Sequence, residues 1–221
     1  MEFILDSADI KQIKELNHIL SVTGVTTNPT IISNSGKEVK ELILELDTIL
    51  SEEQLIFVQV VKTDFEGIME EAKWISSLRP KNIFVKIPVT HEGLCAIKEC
   101  KKLGIPTLAT TIYTAEQGFM AAMNGASYLA PYVNRMDSYG DGVGQVKDLI
   151  EMLKIHEMEA KVVAASFKNV RQVHELLCAG IQAVTVPCDI AYKMIGHPAT
   201  EIAVKEFSDT WEKTYHRQGL F

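Results

Sequence analysis

Residues 83–90 read Ile-Phe-Val-Lys-Ile-Pro-Val-Thr, a short apolar run carrying a single lysine, Lys86. Val, Ile and Phe favour a strand, and Pro88 limits its length because proline cannot donate to a ladder. Side chains alternate faces along a strand, so Phe84 and Lys86 share one face while Val85 and Ile87 share the other. Lysine is rarely buried unpaired, and its presence here has two readings. One is a gatekeeper charge that keeps a strand edge from aggregating. The other is a desolvated amine: burial disfavours the charged form and lowers its pKa from about 10.4 toward neutrality. A neutral amine can attack a carbonyl and form a Schiff base.

Outward from this strand, short apolar runs alternate with longer helical patterns. Upstream, Phe3 to Asp6 reads as a strand, and Ser7 is placed to cap a helix with Ile10, Ile13, Leu16, Ile19 and Leu20 on one face. Val22 to Val25 is a second strand, followed by a short helical turn within Thr30 to Gly36 and a helix from Glu38 to Leu50. Leu55 to Val61 is a third strand with Gln59 embedded in it. Thr63-Asp64-Phe65-Glu66 has the form of a capping box. Downstream, a helix spans Glu92 to Leu103, with Gly104 as its stop. Thr107 to Ile112 is the fifth strand, and Thr114-Ala115-Glu116-Gln117 is a second capping box. Tyr128 to Val133, Lys161 to Ala165 and Ala183 to Val186 complete the strands. Tyr139 to Gly144 is expected to be a flexible loop before a helix from Gln145 to His156. Further helices are expected over Asn169 to Ala179, Asp189 to Ile195 and Thr200 to Tyr215. Eight strand-helix units without a linker or composition break predict a single (β/α)8 barrel over residues 1–221, with a helical tail from about 200 to 221. The runner-up is a doubly wound open sheet, which would have fewer strands at this length and for which no dinucleotide fingerprint is present.

The chain has 221 residues, nearly half of them apolar, and a net charge of -7. That acidity argues against nucleic acid as a partner. No apolar run reaches the ~18 residues of a membrane span, and the N-terminus has no signal-peptide pattern, so a cytoplasmic enzyme is expected. Cys95, Cys100, Cys178 and Cys188 form no Cys-x-x-Cys pair, which reads as reduced thiols. The six histidines show no paired ligand spacing, so no zinc site and no cofactor are expected.

In such barrels the active site lies at the carboxyl ends of the strands. There the sequence places Asp6, Thr26, Asn28, Gln59, Lys86, Thr110, Tyr132, Asn134, Arg135, Ser166 and Lys168. Each has a plainer reading. Asp6 can assist a helix cap, Thr26 and Asn28 can shape the turn before Pro29, Thr110 can be a β-branched filler, and Tyr132 can be a core ring. Together they form one mouth holding an amine, a carboxylate, a phenol, amides and cations, and that convergence favours an enzyme. Lys86 would attack a ketone, and the resulting iminium would act as the electron sink for breaking a carbon–carbon bond. Tyr132 and Asp6 are the candidates for moving protons, with a water held by Gln59 and Thr110 as a further route. Thr26 and Asn28 would contact the bound fragment, Asn28 through one of its hydroxyls. Asn134, Arg135, Ser166 and Lys168 surround the far end, where Arg135, Ser166 and Lys168 would hold a phosphate. The Gly140 to Gly144 stretch lacks the lysine of a P-loop and the spacing of a Rossmann turn.

Gly24-Val-Thr-Thr-Asn-Pro-Thr30 resembles the first signature of the transaldolase family, and Ile83 to Gly93 resembles its Schiff-base lysine signature. Ala130-Pro-Tyr-Val-Asn-Arg135 and Ala164-Ala-Ser-Phe-Lys168 fit as well, and the resemblance runs the length of the chain. It implies the lysine on the fourth strand, where the count above puts Lys86, and sugar phosphates as substrates. The chain looks like the short subfamily that includes the bacterial fructose-6-phosphate aldolases. By that resemblance, Gln59 and Tyr132 stand where transaldolases carry glutamate and phenylalanine, which favours aldol cleavage over transfer of a dihydroxyacetone unit. The alternatives are a transaldolase and, further off, a barrel that binds sugar phosphate without chemistry. The resemblance also implies a homo-oligomer, a decamer with an exchanged C-terminal helix.

Overall fold

The computed structural model describes all 221 residues. Its eight strands are β1 (Glu2–Asp6), β2 (Gly24–Thr26), β3 (Leu55–Gln59), β4 (Ile83–Pro88), β5 (Thr107–Ile112), β6 (Tyr128–Pro131), β7 (Lys161–Ala164) and β8 (Ala183–Val186). They pair in parallel, in chain order, and β8 closes on β1. Eleven helices connect and follow them: α1 (Ile10–Ile19), α2 (Pro29–Ser35), α3 (Val39–Ile49), α4 (Phe65–Ser77), α5 (His91–Lys102), α6 (Ala115–Met123), α7 (Val133–Asp137), α8 (Gly142–Ile155), α9 (Val170–Cys178), α10 (Cys188–Ile195) and α11 (Pro198–Tyr215). This is the (β/α)8 barrel that the alternating pattern predicts, with an additional C-terminal helix.

Two apolar regions hold it together, and β4 shows why. Val85 and Ile87 face outward into the layer between strands and helices, in one apolar cluster with Ile68 of α4 and Ile97 of α5. Phe84 faces inward with Ile4, Leu55, Phe57, Leu108, Tyr128 and Val163. Inside, Phe57 and Phe84 stack at 4.9 Å between centroids, and Tyr128 meets both edge-on at 5.2 and 5.1 Å. This aromatic layer fills the barrel below the mouth. Lys86 lies two residues further along the same face, and is therefore carried inward above an apolar floor.

Several local expectations are corrected. Asp9, not Ser7, caps α1: its Oδ1 accepts from the Gln12 N–H at 3.0 Å, while Ser7 Oγ accepts from the Asp9 N–H. The capping residue of α4 is Asp64, which accepts from Gly67, one residue later than the Thr63 box. In both places a carboxylate outcompetes a hydroxyl for the positive end of the helix. The strand expected to reach Val133 ends at Pro131, and the chain turns at Tyr132 into α7. Five residues with one apolar pair, Val133 and Met136, are too few to show a helical period. The Tyr139–Gly144 segment is not a free loop up to Gln145. Asp141 caps α8 from Gly142, and a Cβ on Gly142 would stand 2.4 Å from the Val133 carbonyl, so glycine permits the close approach.

Candidate active site

Lys86 is 4% exposed, and its Nζ donates to the Thr27 carbonyl at 2.6 Å. Burial pushes its pKa down, and the nearby Asp6 charge opposes that push without overcoming it. Asp6 moves the other way: burial raises its pKa, against the pull of Lys86 and of the Thr26 hydroxyl. Both groups of this buried pair are thus displaced toward their neutral forms. Thr26 Oγ1 donates to Asp6 Oδ1 at 2.8 Å and lies 2.6 Å from Thr185 Oγ1. With Thr26 donating to Asp6, Thr185 must supply the proton of the second bond. Asp6 pairs with Thr26 in register, as Gln59 does with Lys86. Gln59 Oε1 is buried and has no hydrogen-bond partner.

Tyr132 stands across the mouth, at the turn from β6 into α7. Thr110 Oγ1 donates to its hydroxyl oxygen at 3.1 Å, so the phenol proton is free to be given elsewhere. Burial raises its pKa, against the Thr110 bond and the Arg135 charge, and holds it protonated. The Arg135 guanidinium lies over its ring at 4.9 Å, and Tyr113 meets it edge-on at 6.1 Å.

A cavity of about 440 Å³ opens above this group. Asp6, Asn28, Gln59, Lys86, Tyr132, Arg135, Ser166 and Lys168 all line it. Asn28 Oδ1 is engaged in capping α2 through Ile31, which leaves its NH₂ as the group available to a ligand. The same cavity therefore brings together an amine, a carboxyl group and a phenol with a guanidinium, an ammonium and a hydroxyl. A hollow of about 700 Å³ lies at the opposite end of the barrel, around Tyr128 and Lys161, and holds no comparable buried pair. No helix is long and apolar enough to cross a membrane.

The sequence model of the transaldolase/fructose-6-phosphate aldolase family matches residues 3–219. The chain belongs to this family. By its description, that family comprises transaldolases and fructose-6-phosphate aldolases. Among solved structures, it is similar to a double mutant of flavocytochrome b2 with pyruvate bound. That pair shares 15% identity over 99% of this chain and 64% of that one, with a TM-score of 0.62. It is also similar to a single mutant of flavocytochrome b2 with benzoylformate, at 15% identity over 99% and 65% of the two chains, with a TM-score of 0.61. The chain thus spans 64–65% of the length of these structures, and at such identity the likeness shows the barrel alone.

Three expected residues do not reach the cavity of this family member. Thr26 and Thr110 are fully buried and act on Asp6 and Tyr132 from behind. Asn134 instead accepts from Gln172 Nε2 at 3.3 Å. Other contributors escaped the sequence reading. Thr185 shares the inward face of β8 with Ala183, and alternation alone could have found it. Thr27 contributes a backbone oxygen, which no side-chain pattern announces. Thr111 lines the cavity at φ +57°, a left-handed conformation unusual for a β-branched residue.

Proposed function

We propose that the protein is a class I aldolase that reversibly cleaves fructose 6-phosphate to dihydroxyacetone and glyceraldehyde 3-phosphate through a Schiff base on Lys86. The observation that carries this reading is the buried Lys86, displaced toward the neutral amine and donating one bond to Thr27 O, which leaves its lone pair free. The amine adds to the C2 carbonyl of the ketose, and loss of water gives the iminium. The C3–C4 bond then breaks. Its electron pair enters the iminium to give an enamine, while the C4 hydroxyl loses its proton and becomes the aldehyde. The enamine takes a proton at C3, and water returns dihydroxyacetone and free Lys86.

Tyr132, protonated and with its own hydrogen uncommitted, fits the donor in the last proton transfer, directly or through a water. Asp6, tuned by Thr26, fits the group that exchanges protons during iminium formation. Gln59 Oε1 is an acceptor buried at the mouth and suits a water or a substrate hydroxyl. Arg135, Ser166 and Lys168 suit the phosphate, and Asn28 a hydroxyl of the retained fragment. A homo-oligomer in the cytoplasm completes this reading by resemblance.

The test supplies fructose 6-phosphate alone and follows glyceraldehyde 3-phosphate with a coupled assay. Sustained release is expected. No turnover until erythrose 4-phosphate is added would make the protein a transaldolase. Absence of a borohydride-trapped adduct on Lys86 would overturn Schiff-base chemistry altogether.

A further inference from the structure

The two loops that bring Arg135 on one side and Ser166 and Lys168 on the other to the cavity meet on one buried amide, Gln172, in the first turn of α9. Its Oε1 accepts from the Lys168 N–H at 3.0 Å. Its Nε2 donates to Asp137 Oδ2 at 2.6 Å and to Asn134 Oδ1 at 3.3 Å. Its own N–H is capped by Asn169 Oδ1 at 2.9 Å, and the other oxygen of Asp137 accepts from the Gly142 N–H at 2.9 Å. The residue is 8% exposed and touches no part of the cavity. A glutamine buried to this degree is uncommon. Here every side-chain bond it makes runs to one of the two loops, and Asp137 in turn ties the group to the start of α8.

Both loops need an external brace. Ser166 sits at φ +63°, a left-handed conformation that a serine does not favour by itself. The Lys168 N–H that Gln172 holds lies two residues beyond it. On the other side, Asn134 and Asp137 belong to α7, a helix of only five residues that also carries Arg135. A helix that short has little stability of its own. Backbone bonds join the two loops at Asn134 N to Ser166 O, 3.2 Å. Gln172 adds the side-chain bridge behind them.

We infer that Gln172 is a positioning residue that sets the spacing between Arg135 on one loop and Ser166 and Lys168 on the other, and so selects phosphorylated over unphosphorylated substrates. This rests on the assignment of those three residues to phosphate. The amide is suited to the task because it is acceptor and donor at once, whereas two carboxylates facing each other would repel.

The experiment measures KM and kcat for fructose 6-phosphate and for unphosphorylated fructose, in wild type, Gln172→Met, Gln172→Glu and Lys168→Met. Gln172→Met is expected to raise KM for fructose 6-phosphate about tenfold, the equivalent of ~1.4 kcal/mol, with kcat/KM for fructose held within about twofold. In Gln172→Glu the new carboxylate faces Asp137, and the buried pair holds one shared proton to above the ordinary carboxylate range. Relative to wild type at each pH, KM for fructose 6-phosphate should therefore be near normal while that proton is held and rise as it leaves. A merely structural role would not produce that selective pH dependence. Equal losses on both sugars, or a Gln172→Glu ratio that is flat with pH, would overturn the inference. If Lys168→Met abolishes discrimination while Gln172→Met leaves it intact, only the role of Gln172 fails. If wild type itself does not discriminate, the phosphate assignment fails and the inference with it. Should Gln172→Met not fold, Gln172→Glu at low pH carries the test.

Discussion

On the proposed aldolase mechanism, the choice between release and transfer turns on Tyr132. Thr110 donates its proton to the tyrosine oxygen, and burial keeps the phenol from ionising, so the phenol proton remains available to the cavity that Tyr132 lines. Removing only that hydroxyl in Tyr132→Phe should slow cleavage about 100-fold, the lower range for loss of a general acid. Transfer to erythrose 4-phosphate needs no protonation of the enamine and should fall less. The ratio of the two rates in one preparation measures this, and an unchanged ratio would remove Tyr132 from the proton path. Lys86 makes a separate prediction, in stability. Its folded pKa is depressed, so between that value and about 10.4 the unfolded chain binds more protons, and stability rises with pH across that window. Asp6, whose folded pKa is raised, works in the opposite sense from about 3.9 upward. The comparison is therefore made in an Asp6→Asn background. There, the stability of the Lys86 protein should gain on that of Lys86→Met as pH increases toward 10. Denaturant melts at several pH values give the difference, and a flat or falling curve would show that Lys86 is not held neutral.

At the level of elements, β5 carries the strain that builds the mouth. Its pairing with β6 shifts register between Ala109 and Ile112, and within that irregularity Thr111 adopts φ +57°. The shift lets Thr110 present its hydroxyl to Tyr132 while Thr111 borders the cavity. A β-branched residue in that conformation costs on the order of 1–3 kcal/mol. Asparagine tolerates it better, so Thr111→Asn should stabilise the protein by about 1 kcal/mol, which raises Tm by about 2–4 °C for a chain of this size. A lower Tm by calorimetry would mean that the Thr111 Oγ1 bond to Thr110 O outweighs the strain. This element also shows where sequence reading stops. The span Thr107–Ile112 is legible from its β-branched run, and Thr110 from its place at the strand end. The irregular register and the left-handed residue are not, because they arise from how β5 meets β6. Likewise α7 is hidden by its shortness. Asn134, read as part of the site because it follows the end of the sixth strand, is drawn off by Gln172, a partner 38 residues away.

For the molecule as a whole, the barrel was legible because each strand-helix unit repeats one solution: alternation inward and outward, a cap, an apolar helical face. Lys86 was legible for the same reason, as a charge on a strand position that alternation sends inward. α11 follows a different logic. It spans 18 residues, and none of them is buried. Ile202, Val204, Phe207 and Tyr215 are each more than half exposed, and Trp211 packs only locally, against Tyr215 at 4.3 Å and Gly219 O. A helical period identifies such an element but says nothing about what covers it. This much apolar surface on one exposed helix marks an interaction face, and we propose, from the resemblance read in the sequence, that another copy covers it. Light scattering should therefore give several times the mass of one chain. Deleting residues 198–221 should reduce that mass while leaving borohydride trapping on Lys86 intact, because every residue around the amine precedes α11. A full-length protein that runs as a monomer would refute the oligomer. Loss of trapping on deletion would show instead that the tail of one copy completes the mouth of the next.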